Sequence, residues 1–142
     1  MSTLTVIQTT EVHDYVLQLA DRLEAQYKEY HVKSLTQFTS EWANKELESV
    51  KNGTANLMRF VVTKGRKYFK ITSHEYDTFQ DRNEYREGGV HAFVNKNTGE
   101  VYKPAKHVRY NLLDEDSRAE CLLRADWAGG YLYLRWWTFL LS

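Results

Sequence analysis

The feature that most constrains this chain is a change in apolar period at Gly53. Before it, apolar residues recur at helical spacing; after it, they alternate. Val12, Val16, Leu19, Leu23 and Tyr30 mark one face of a helix that Thr10 is placed to cap. A second helix is predicted from Ser34, which with Gln37 fits a capping box, through Leu35, Phe38, Trp42, Leu47 and Val50 to the Asn52-Gly53 stop. The stretch LMRFVVTKGRKYFKITS then alternates strictly around Lys64-Gly65. A two-residue turn there pairs Thr63 with Arg66. It sets Met58, Phe60, Val62, Phe69 and Ile71 on one face and Arg59, Arg66, Tyr68 and Lys70 on the other.

Residues 74–89 are polar and aperiodic, which reads as a long surface loop. Alternation resumes in VHAFVNKNTGEVYKP, where Asn97-Thr98-Gly99 suits a three-residue hairpin loop pairing Lys96 with Glu100. That register groups His91, Phe93, Asn95 and Lys103, with Ala92, Val94 and Tyr102 opposite. Asp114 or Ser117 caps a short helix, and YLYLRWWTFLL at 131–141 reads as a terminal strand. The expectation is one α+β domain over residues 1–142. A helical hairpin at about 10–53 packs on an antiparallel sheet, at about 56–142, of two hairpins plus a C-terminal strand. The helix stripes read first as covering that sheet, with a helix-mediated homo-oligomer as the alternative.

Composition narrows the function classes. Formal charge sums to zero, yet residues 57–70 hold Arg59, Lys64, Arg66, Lys67 and Lys70 with no acid. The helices and the 74–87 stretch are net negative, which disfavours extended duplex nucleic acid and leaves a limited basic patch. The lone Cys121 rules out an internal disulfide and suits a reducing compartment. No secretory signal opens the chain and its most apolar stretch is too short for a membrane helix, so a cytoplasmic protein with no membrane partner is expected.

Catalytic material is thin. His74, Glu75 and Asp77 match no established metal spacing, and no Gly-rich phosphate loop, nucleophile elbow or Cys/His signature is present. The expectation is a chain with no catalytic set, metal or cofactor. A compact anion with a ring fits the basic hairpins better. Lys103, Lys106 and Arg109, with Arg59 and Lys70 in support, would neutralise phosphate; Phe93, Tyr68 or Tyr102 would stack on a base; Asn95 would read an edge. For any single cation a solvated sheet rim is the plainer reading.

The stretches VHAFVNKNTGEVYKP, AKHVRYNLLD and RADWAGGYLY, in roughly the C-terminal third of the chain, resemble small bacteriophage proteins, and within them the first Thoeris anti-defence family. The resemblance implies a homo-oligomeric sponge that sequesters a cyclic ADP-ribose signal without cleaving it, in the cytoplasm of the infected cell. A cyclic oligonucleotide is the neighbouring ligand class. Two alternatives stay open: a phage regulator binding a host protein through Trp136, Trp137 and Phe139, and a small nucleotide-processing enzyme.

Overall fold

Residues 3 to 35 contain neither Gly nor Pro, and they form one helix, α1 (Thr3–Leu35). The structure, a computed structural model, describes residues 3–103 and 107–133, with side chains from Thr10 onward. Neither Thr10 nor Ser34 acts as the expected cap, because both lie inside α1. With no breaker near either residue, the helix runs through them. It ends in tighter bonds, Gln37 N–H to Ser34 and Phe38 N–H to Leu35.

Ser40 opens α2 (Glu41–Lys51), its hydroxyl accepting the Ala43 N–H at 3.2 Å. The helix stops where expected, at Asn52, with Gly53 at φ 79°. Only part of the predicted apolar stripe is used: Leu35 and Val50 are buried, as is Ala43 outside the stripe, whereas Phe38 and Trp42 are 58% and 65% exposed.

Beyond Gly53 the chain makes a five-stranded antiparallel meander in sequence order: β1 (Arg59–Lys64), β2 (Tyr68–Asp77), β3 (Glu84–Asn95), β4 (Glu100–Tyr102) and β5 (Val108–Asn111). The fold class is α+β, with the two N-terminal helices preceding the sheet. Val12, Val16, Leu19, Ala20 and Leu23 of α1 meet Phe60, Phe69, Ile71, Ala92, Val94 and Val101 from one sheet face in the core. Burying such side chains is worth about 1.5–3 kcal/mol each. A third helix, α3 (Glu115–Arg124), is capped by Asp114, whose carboxylate accepts the Ser117 N–H at 2.9 Å, and it buries Cys121.

Four sequence expectations change. Thr63 pairs with Lys70 rather than Arg66, because Gly65 N–H bonds to the Tyr68 carbonyl and widens the turn. The offset from Arg66 to Lys70 is even, so the same residues still face the core. In the next hairpin the error is a single residue, since Phe93 pairs with Tyr102 and Val94 with Val101. Asn95 causes it. Its Oδ1 accepts the N–H groups of Asn97 and Thr98 and starts the turn one residue early, while Gly99, at φ 75°, closes it onto the Asn95 carbonyl. The odd slip turns Tyr102 to the side of Phe93 and Val101 into the core.

Residues 74–89 are ordered pairing, not a loop. Only Thr78 to Asn83 form the turn between β2 and β3, and Asp77 ties it by accepting from the Phe79 N–H and from Arg82 and Arg86. Arg86 and Glu87 are exposed, so no core demands apolar residues there and alternation disappears from the sequence. Lastly, the described part of 131–141 is not strand. Asp126 accepts the N–H groups of Gly130 and Tyr131 and curls Gly130–Leu132 into a 3₁₀ turn. The rest of the predicted terminal strand lies outside the described residues; the fifth strand is β5.

Candidate functional site

The β2–β3 pairing shifts register between Ile71 and His74, and His91 is the extra residue on β3 between the pairs Ile71–Ala92 and Thr72–Val90. The bulge turns His91 to the core side, edge-on to Phe60 with ring centroids 5.3 Å apart. Its Nε2 lies 2.8 Å from the Tyr131 hydroxyl. Burial holds the imidazole down to about pKa 4, with Lys103 lowering it further and Asp126 pulling the other way. His91 is therefore neutral at pH 7.

Around His91 opens a cleft of about 340 Å³ between the bulged strands and the segment after α3. Ser73, Glu75 and Gly89 border it on the sheet side; Trp127, Gly129 and Tyr133 face them. Trp127 is fixed from α1, its backbone N–H donating to Gln26 Oε1 at 2.8 Å and its ring meeting Tyr27 edge to face at 5.3 Å. Gly129 takes φ 82°, a conformation that Gly adopts without strain. At Gly89 a side chain would project into open space.

Lys103 supplies the cation of this cleft, its ammonium lying over the Tyr133 ring. Its pKa is lowered by desolvation and by the nearby Arg109. Arg109 is committed elsewhere: its Nε donates to the Leu132 carbonyl at 2.8 Å and holds the 3₁₀ turn against β5. The cleft thus combines one cation, two large rings, a neutral imidazole, a carboxylate and a glycine-lined wall.

The residues expected to act together fall in three places. Lys103 and Arg109 lie at or beside the cleft. Tyr68, Lys70 and Phe93 lie on the opposite sheet face with Tyr102, because the hairpin register puts consecutive residues of β4 on opposite sides. Asn95 spends its side-chain oxygen on the turn. Arg59 stacks on the Tyr85 ring, 3.8 Å from its centroid, at a second hollow of about 290 Å³ bordered by Glu24 and Lys28 of α1. Lys106 lies outside the described residues. Sequence reasoning missed Trp127, Tyr133 and Gly89; the Trp-Ala-Gly-Gly stretch was the available signal for the first.

Nucleophile chemistry finds little support among the described side chains. The Ser73 hydroxyl donates to the Gly89 carbonyl at 3.3 Å, and burial pushes the Cys121 thiol up to about 12. No group of three or more His, Cys, Asp and Glu is placed to hold a metal ion among the described residues, and no described helix is long and apolar enough to cross a membrane.

Compared with known protein families, residues 3–134 match one described as a family of unknown function (DUF7717). No curated protein and no solved structure matches the chain.

Proposed function

The chain belongs to the DUF7717 family, which carries no assigned activity, and we propose from its own residues that it binds a small nucleotide-derived anion in the His91–Lys103 cleft and releases it unchanged. The observation that carries this reading is the seating of Lys103 among Tyr133, Trp127 and His91 in a cleft of about 340 Å³, a volume within the ligand-pocket range. Lys103 meets phosphate, the rings flank a base, and Glu75 accepts from ribose hydroxyls. Sequestration asks for tight binding and slow release, not for a perturbed base or nucleophile. In this proposal the ligand is an immune signal, a cyclic ADP-ribose isomer or a cyclic oligonucleotide, and the protein is a phage counter-defence sponge in the host cytoplasm, as its resemblance to the first Thoeris anti-defence family implies.

The test is capture and recovery. The protein is incubated with cyclic ADP-ribose isomers and cyclic oligonucleotides, stripped of free ligand and denatured. Intact ligand supports the reading; a converted product makes the protein an enzyme; no retained nucleotide overturns both.

The exposed rings of Phe38 and Trp42 favour a second reading, in which this face joins another protein or a further copy of the chain. Replacing Trp42 with Lys and measuring mass in solution tests the homo-oligomer, and a pull-down from host lysate tests a single stoichiometric partner.

A further inference from the structure

On the sheet face turned away from α1, rings from three adjacent strands form one cluster. Tyr68 on β2 meets Phe93 on β3 with centroids 6.1 Å apart and Tyr102 on β4 at 5.9 Å, both edge to face. Lys70 stands opposite Phe93 in the ladder, so its side chain shares that face. Next to Tyr68 the β1–β2 turn carries Arg66 and Lys67, both exposed. One acid borders the cluster, Glu100, hydrogen-bonded to Tyr102; burial first and then this carboxylate raise the Tyr102 pKa. None of these residues borders the His91–Lys103 cleft.

We propose that this face binds single-stranded nucleic acid, with bases stacking on Tyr68, Phe93 and Tyr102 and phosphates met by Arg66, Lys67 and Lys70. The charge pattern selects the occupant. Arg66, Lys67 and Lys70 belong to a run, residues 57–70, without a single acid in a chain of zero formal charge, so the face attracts polyanions more than the net-negative helices do. The rings select among polyanions. A duplex keeps its bases stacked inside and offers phosphates to too few cations, whereas a single strand presents π-faces that aromatic side chains accept from any sequence.

Fluorescence anisotropy with labelled oligouridylate and oligothymidylate of about 12 nucleotides, beside a duplex of equal length, tests this. The single strands are expected to bind at least about tenfold tighter than the duplex, with affinity falling between about 50 and 200 mM salt. Phe93→Leu is expected to weaken binding about tenfold. Replacing Arg66 and Lys67 together by Gln is expected to reduce the slope of log affinity against log salt by about 1.4, at roughly 0.7 per phosphate contact. That double variant touches only exposed turn residues, so it stays informative even where a ring variant unfolds. Absence of single-strand binding at low salt, equal or better duplex binding, or an unchanged salt slope in the double variant overturns the proposal. Gly89→Val, which occupies the cleft, is expected to leave oligonucleotide affinity unchanged; loss of both ligands in that variant would mean one shared site and overturn it as well.

Discussion

His91 Nε2 and the Tyr131 hydroxyl lie 2.8 Å apart, joining a β-bulge to a turn 40 residues further along the chain. The pair ties the floor of the cleft to its far wall. Both groups are shielded, and burial raises the Tyr131 pKa well above the usual phenol value.

That shielding predicts acid sensitivity. The imidazole titrates at about 4 in the folded protein against 6.5 in the unfolded chain. Above pH 6.5 neither state binds the proton and nothing is lost. Between 6.5 and 4 the unfolded chain takes it up first, so stability falls as pH falls, by roughly 3 kcal/mol at most. Denaturant unfolding of the protein and of His91→Gln across this window should show a flatter pH profile for the variant.

Gly89 is the place to close the cleft without disturbing the fold. A Cβ added there meets nothing within 4 Å and Gly89 borders the cleft, so Gly89→Val is expected to melt at or slightly above the parent temperature while nucleotide capture falls at least about tenfold. Lys103→Met removes the charge and keeps the length. It should weaken capture by about one to two orders of magnitude, the worth of a charge-assisted hydrogen bond, measured by calorimetric titration.

Arg109→Ala separates structure from recognition. Loss of the bond to the Leu132 carbonyl leaves a buried acceptor and is expected to cost about 1–3 kcal/mol in stability, seen as a lowered melting temperature. A variant that melts like the parent and binds less would move Arg109 into the ligand site.

Thr72 is 1% exposed, and among the described residues its hydroxyl has no hydrogen-bond partner. Val has the same shape without the unmet polar group. Thr72→Val is expected to raise stability by about 1 kcal/mol, read from the denaturant midpoint at constant slope.

The helix stripe and the β1–β2 faces were legible in the sequence because burial demands apolar residues at a fixed period: Val12, Val16, Leu19 and Leu23, then Phe60, Phe69 and Ile71, all reach the core. The β2–β3 ribbon was not, since exposed positions such as Arg86 and Glu87 leave no period to read. The candidate site depended on one residue of register. Asn95 carries its turn through side-chain bonds to Asn97 and Thr98, a local choice that alternation does not encode, and it sent Phe93 and Lys103 to opposite faces. The cleft itself needed the β-bulge at His91, whose neighbours Val90 and Ala92 continue an ordinary strand pattern.

The side chain of Arg22 donates to the Leu122 carbonyl and that of Gln26 accepts from the Trp127 N–H, across 100 and 101 residues. A ribosome adding about 5–20 residues per second needs roughly 5 to 20 s to cover that interval. Throughout it, α1 is already made but its partners in and after α3 are not, and the side of Tyr27 and Tyr30 that later seats Trp127 is left without that ring.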